Sequence, residues 1–114
     1  MINRATTMFL CSEIVKVCWR STARGSKVLT ANLEEISRYG ATLVSEEPLP
    51  ADAEVDIACQ NFILRGKTSK SMWDEIGYST WVEFQLDSQW SPDWFRPRHL
   101  LNLKALTPQY NHAA

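Results

Sequence analysis

The chain has 114 residues, a length that suits one domain with one hydrophobic core, and 45% of its residues are hydrophobic and 22% charged. Its 12 basic and 13 acidic side chains give a formal net charge of −1. This balance excludes a general electrostatic attraction to nucleic acid or to an anionic membrane, so any anion site must be local. It also argues against a single-stranded nucleic-acid-binding barrel, which needs basic residues along its stacking surface.

Targeting signals are weak in this sequence. The apolar run at 8–11 is shorter than a secretory signal requires, and it ends at Cys11 after Leu10, where a lipoprotein site would have a small residue. No stretch approaches the roughly 20 apolar residues that span a bilayer. We therefore expect a cytoplasmic protein without membrane insertion.

Short alternating segments, separated by turn residues, dominate the first three quarters of the chain. In the first segment Val15, Val17 and Trp19 share one face, and period-two alternation of this kind indicates a half-buried strand. Six strands are predicted in this way, and their number and spacing favour an antiparallel barrel or sandwich. The predicted strands are 13–20, 27–36, 41–45, 54–59, 62–68 and 78–86.

Details of the later segments follow from the same pattern. In the sixth strand Val82, Phe84 and Leu86 are expected to face inward, and 69–77 is predicted to be a polar loop. Ser91-Pro92-Asp93 has a cap, a first-turn proline and an acid, which predicts a short C-terminal helical segment over about 91–106. The whole chain, 1–114, is predicted to form a single domain with its barrel at about 12–87.

The segment between the second and third strands, 34–43, resembles the signature loop of the PilZ family. That loop has Asp or Asn, one residue, Ser, two residues and Gly; Ser37 and Gly40 match, and Glu35 stands where the short side chain is usual. Pro48-Leu49-Pro50 and Trp81-Val82-Glu83-Phe84 are also similar to that family. The resemblance implies an all-β, six-stranded antiparallel PilZ-like β-barrel with a short C-terminal helix. It further implies a regulatory binding module in bacterial second-messenger signalling.

Binding of cyclic di-GMP is the ligand activity that the resemblance implies. Many PilZ domains bind it with an Arg-x-x-x-Arg motif ahead of the first strand, and Arg20 and Arg24 spell that motif here, although they follow the first predicted strand. Arginine suits this task because its planar guanidinium stacks on bases and makes bidentate bonds. The candidate ligand-binding residues are Ser37, whose hydroxyl can donate, Gly40, whose backbone is unrestricted, and Arg38, Arg20 and Arg24.

A protein-interaction adaptor that does not bind nucleotide is the alternative prediction. Its motivation is the absence of the arginine pair from the region ahead of the first strand. Tryptophan concentrates binding energy at protein interfaces, and Trp73 and Trp81 are the candidate partner-binding residues.

Catalysis and metal binding have no support in the sequence. No nucleophile and base stand in a recognisable arrangement, and the two histidines, His99 and His112, have no evident partners. The cysteines, Cys11, Cys18 and Cys59, are odd in number and lack a CxxC spacing, so they are predicted to be reduced and structural. We expect a protein that is not an enzyme and has no cofactor.

Overall fold

Eight β-strands and one short turn of 3₁₀ helix make up the regular structure of the described residues. The computed structural model describes residues 7–21 and 25–102. The strands are β1 (Phe9–Ser21), β2 (Gly25–Ile36), β3 (Gly40–Ser45), β4 (Glu54–Cys59), β5 (Phe62–Thr68), β6 (Met72–Asp74), β7 (Gly77–Phe84) and β8 (Leu101–Asn102), and the 3₁₀ turn is Leu86–Ser88.

Six of these strands close into an antiparallel barrel. Its order is β1-β2-β3-β7-β5-β4, and β4 pairs again with β1. The remaining two strands lie outside this ring, β6 on β7 and β8 on β1. The prediction of an all-β, six-stranded antiparallel barrel is confirmed, and the bounds predicted for the fourth and fifth strands are those observed.

Each barrel strand contributes a fully buried aliphatic side chain to one core. Because successive side chains of a strand point to opposite faces, alternate residues meet inside the ring. Burial of one such side chain contributes about 1.5–3 kcal/mol relative to leaving it exposed. The six, one from each strand in chain order, are Val17, Leu33, Leu43, Ile57, Leu64 and Val82.

The contact between β5 and β7 depends on Gly66. A methyl group at this position would lie 2.7 Å from Cγ1 of Val82 and would also meet the carbonyl oxygen of Glu83. These two residues belong to the strand that Gly66 pairs with. Glycine therefore lets the two backbones approach closely where the barrel closes.

The predicted C-terminal helix is wrong across the described residues 91–102. These residues contain two separate turns and the strand β8, and in the first turn the Trp94 N–H donates to Ser91 O at 2.9 Å. Pro97 supplies no N–H for a longer helix. Trp90 is buried, and its indole N–H donates to Phe95 O at 3.0 Å, which turns the chain back across the barrel. Residues 103–106 of the predicted helix lie outside the described residues.

A buried carboxylate holds this C-terminal segment against the barrel. Oε1 of Glu13 accepts hydrogen bonds from the Arg98 N–H at 2.6 Å and from the Nε2–H of Gln60 at 3.1 Å. Nε2 of Gln60 also donates to Arg96 O at 2.8 Å. Charge-assisted bonds of this kind are stronger than neutral ones, and they offset the cost of burying the Glu13 carboxylate.

Two further predictions need correction. The 69–77 segment is not simply a loop, because β6 forms within it and pairs with β7 as a short hairpin. Leu86 does not face the core; it is 88% exposed, since the chain leaves the barrel after Phe84 and enters the 3₁₀ turn.

The cysteines are free thiols, as predicted, and two of them are buried. Cys11 and Cys59 lie in the core, and Cys18 is half-buried. Burial raises the pKa of the Cys11 thiol from its ordinary 9.0 to about 12, and burial together with the Glu13 carboxylate does the same for the pKa of Cys59. Both thiols are therefore held in the protonated, unreactive form.

We expect iodoacetamide at about pH 8 to alkylate Cys18 in the native protein and to spare Cys11 and Cys59, because the thiolate is the nucleophile. Peptide mass spectrometry measures this, and alkylation in urea, which should label all three, is the control. The raised pKa values of Cys11 and Cys59 also affect the free energy of unfolding. Their contribution to stability is fully present below pH 9.0 and is lost as the pH rises towards 12, because the two thiols lose their protons at lower pH in the unfolded chain than in the folded protein. Equal native labelling of Cys11 and Cys18 would contradict the buried arrangement.

Candidate functional site

The Ser37–Gly40 segment is a tight, internally bonded turn between β2 and β3. The Ser37 N–H donates to Gly40 O at 2.8 Å, and its hydroxyl donates to the same oxygen at 3.3 Å. The hydroxyl oxygen also accepts the Tyr39 N–H at 3.3 Å. Ser37 is buried, and its polar atoms are directed into the turn itself.

Bonds to the C-terminal segment and to β7 anchor the tip of this turn. Nε of Arg38 donates to Oε1 of Gln89 at 3.0 Å, and Arg38 O accepts the Trp90 N–H at 3.2 Å. Tyr39 O accepts the Phe84 N–H at 2.8 Å. The Arg38 side chain is exposed, with its guanidinium 5.7 Å from the centre of the Tyr39 ring. Arg38 is thus the one cation that this turn presents to solvent.

Gly40 is required by packing, not by an unusual backbone angle. Its φ is not positive. The prediction that this position uses the unrestricted backbone of glycine is therefore corrected. A methyl group here would lie 2.7 Å from Cη2 of Trp81 and 2.5 Å from Val82 O. Trp81 is half-buried with its indole over Gly40, and it is therefore part of the turn's packing instead of an exposed anchor.

Glu35, the unusual residue of the motif, also has a local partner. Its Oε1 accepts the Thr42 hydroxyl at 3.0 Å, across the β2–β3 pair. The motif residues Glu35, Ser37 and Gly40 therefore stabilise one hairpin. Arg38 alone is left available for a ligand.

Arg20 lies on a different surface from this turn. It pairs with Ser26 beside the first hairpin, whereas Ser37 follows the other end of β2, about 36 Å further along an extended strand. Arg24 lies outside the described residues. Arg20 and the Ser37–Gly40 turn therefore lie towards opposite ends of the β1–β2 pair.

A groove of about 470 Å³ contains Arg20, and it carries both signs of charge. A second guanidinium, that of Arg65, lines it together with the carboxylates of Glu54 and Asp56. Nε of Arg65 lies 3.4 Å from Oδ1 of Asp56, an exposed ion pair. Arg65 was not predicted as a site residue, because only the pairing of β4 with both β1 and β5 brings it into the groove that contains Arg20.

The β6–β7 hairpin exposes three large apolar side chains, those of Met72, Trp73 and Ile76. Trp73 is 65% exposed, Ile76 is 75% exposed, and Met72 is also exposed. The Trp73 ring meets the half-buried Tyr78 ring edge-on at 5.1 Å. Met72 and Ile76 were missed in the sequence, although Trp73 and Tyr78 flanking Asp-Glu-Ile-Gly is a recognisable hairpin signal.

Other chemistry is sparse in the described part of the chain. Within residues 7–21 and 25–102, no group of three or more His, Cys, Asp or Glu side chains could hold a metal ion. In the same residues no helix has the length and apolar character to cross a membrane. His99 lies in an exposed turn with φ of 60°, and His112 lies outside the described residues.

Comparisons with protein-family models, curated protein sequences and solved structures return no match to this chain. The PilZ resemblance therefore stays a prediction that depends on the Glu35–Gly40 motif and its setting between two strands.

We expect Gly40→Ala to destabilise the protein by about 2–3 kcal/mol, because the new methyl group must displace the Trp81 indole or the Val82 backbone. Urea denaturation measures the loss. Arg38→Ala, in the same turn but exposed, is the matched control and should change stability by less than about 1 kcal/mol. A Gly40→Ala variant as stable as the parent would show that the turn has room for a side chain.

Proposed function

We propose that the protein is a PilZ-like interaction module in bacterial second-messenger signalling, and that it binds a protein partner through the β6–β7 hairpin. The observation that carries the proposal is the exposure of Trp73, 65%, on a surface that also contains Met72 and Ile76. Tryptophan and methionine are enriched at protein interfaces and tryptophan dominates their binding energies. Burying this cluster against a partner would remove a large apolar area from water.

The hairpin is rigidly attached, which favours its use as a recognition surface. The Ser71 hydroxyl, just before β6, accepts the Leu49 N–H at 3.0 Å and lies 3.2 Å from Leu49 O. It is also 2.6 Å from the Thr80 hydroxyl of β7. Because these contacts order the hairpin before any partner binds, less conformational entropy is lost on association.

Charge at the hairpin tip indicates what the partner surface should carry. Asp74 and Glu75 are exposed beside Trp73 and Ile76, and no ion pair joins either of them to another described residue. Electrostatic complementarity steers encounter and selects partners. The partner is thus expected to offer an apolar pocket with a basic rim.

We expect Trp73→Ala combined with Met72→Ser to abolish partner capture, because truncating a central tryptophan commonly costs 2 kcal/mol or more of binding energy. The measurement is quantitative affinity capture from lysate of the source cells, followed by titration of each captured protein in purified form. Leu86→Ala removes an apolar side chain that is even more exposed but lies elsewhere, and this variant should bind like the parent. If the double variant and the parent bind the same purified proteins equally, the hairpin is not the recognition surface.

Cyclic di-GMP binding is the second candidate function, and the Arg20 groove is the observation that favours it. The groove holds two guanidinium groups, Arg20 and Arg65, which could stack on bases and bond to phosphates. Its two carboxylates, Glu54 and Asp56, oppose the approach of phosphate. The Ser37 hydroxyl, which the family motif would direct to a ligand, has its partners within the turn.

We therefore expect calorimetric titration of the parent protein with cyclic di-GMP to give no saturable heat, since the carboxylates of Glu54 and Asp56 would repel phosphate in the groove. The comparison is with Arg20→Ala, and Lys70→Ala serves as an exposed-cation control. Saturable binding that disappears in Arg20→Ala and persists in Lys70→Ala would establish the nucleotide function in place of the nucleotide-free one.

A further inference from the structure

Half of β2 has a free edge, a feature that neither the hairpin surface nor the arginine groove uses. β2 pairs with β1 from Gly25 onwards, but its pairing with β3 begins only at Asn32. Among the described residues, no strand pairs with the other edge of Gly25–Ala31. Unpaired N–H and C=O groups on such an edge are a template for another strand. We call this seven-residue segment the free edge.

The free edge exists because β3 is half as long as β2. β3 ends at Ser45, whose hydroxyl donates to Glu47 O at 2.7 Å and bends the chain away from the sheet. Pro48 follows and lacks a donor for any ladder. The place that a longer β3 would occupy beside the free edge is therefore left open.

A groove of about 490 Å³ runs along this open place, and its exposed apolar residues mark it as a contact surface. Ile14 of β1 is 66% exposed and Val28 of β2 is 60% exposed, and both line the groove. Ile76, from the tip of the β6–β7 hairpin, lines its other side. Proteins that prevent pairing at an exposed edge strand seldom have exposed β-branched residues there.

Charges at the two ends of the free edge are opposite in sign. Lys27 lies near its beginning, and Glu46 and Glu47, which line the groove, lie beyond its end. When two copies of one strand pair antiparallel, the beginning of each lies beside the end of the other. Lys27 of one copy would then be near Glu46 and Glu47 of the second copy, and the two-fold axis would repeat this contact.

We propose that a second copy of this chain occupies the groove, so that the two free edges pair antiparallel about a two-fold axis close to Val28. The pairing would join two barrels through one continuous strand pair and cover Val28 and Ile14 of both copies. The self-complementary order of charges is the reason for a second copy instead of an unrelated strand. This interface goes beyond the proposed function: it shares Ile76 with the hairpin surface but contains neither Trp73 nor Met72.

Sedimentation of the parent protein over concentrations from about 1 to about 100 µM tests the proposal, with a monomer–dimer equilibrium as the expected result. Val28→Lys should shift it to monomer, because the two new lysines would lie opposite one another at the axis. Ile63→Lys, an exposed isoleucine on β5, is the matched control and should dimerise like the parent. A parent that is monomeric throughout this range overturns the proposal and leaves the free edge to a strand from another protein.

Charge exchange provides the sharper test of the antiparallel arrangement. Two variants are compared: the single variant Lys27→Glu and the double variant Glu46→Lys/Glu47→Lys. Each should self-associate about tenfold more weakly than the parent, because its homodimer contains two contacts between like charges. A mixture of the two variants should form a heterodimer about as tightly as the parent, since both contacts are then between opposite charges. Circular dichroism confirms that each variant is folded. If the mixture associates no better than the separate variants, the antiparallel two-fold pairing is wrong.

Discussion

The unequal lengths of the strands govern the architecture of this protein. β1 and β2, with 13 and 12 residues, pair along almost their whole length, whereas the other barrel strands have six to eight residues. β1 closes the barrel through Lys16–Trp19 on β4, and β2 continues it through Asn32–Ile36 on β3. Only these parts of the β1–β2 pair belong to the ring. Closure therefore uses part of each long strand; β8 pairs with the beginning of β1, and Gly25–Ala31 of β2 keeps an open edge among the described residues.

Both candidate interaction surfaces follow from this mismatch. The free edge of β2 is the part of that strand that β3 is too short to reach. On the other side, β7 extends beyond the ring and pairs with β6. Each surface combines ordered backbone with exposed apolar side chains, Val28 and Ile14 in one and Trp73 and Met72 in the other. Closure buries the inward-facing apolar groups of the ring, whereas these four side chains on the extensions are each more than half exposed.

The Ser37–Gly40 motif illustrates how one residue pattern can serve stability and recognition differently. Its serine and glycine form a hairpin in which the Ser37 hydroxyl bonds to Gly40 O and the Trp81 indole lies over Gly40. A tight turn of this kind needs a small residue and a short hydroxyl side chain whether or not a ligand binds. The motif therefore specifies the hairpin with more certainty than it specifies cyclic di-GMP, which would require the separate arginine surface.

The sequence by itself determined the strands and the all-β class, because period-two alternation in segments such as 54–59 and 62–68 directly reports which side chains enter a core. It also singled out Trp73 as a candidate partner-binding residue, because a tryptophan in a polar loop is a candidate for exposure. Only the tertiary structure decided that the described residues 91–102 form no helix, because Arg38 O and the Glu13 carboxylate, both distant in sequence, accept the N–H groups of Trp90 and Arg98. The tertiary structure also decided three further features. It separates Arg20 from Ser37, places Arg20 and Arg65 in one groove, and leaves β2 with its free edge. Each depends on strand pairing and relative strand length, and local alternation carries no information about which strand lies beside which.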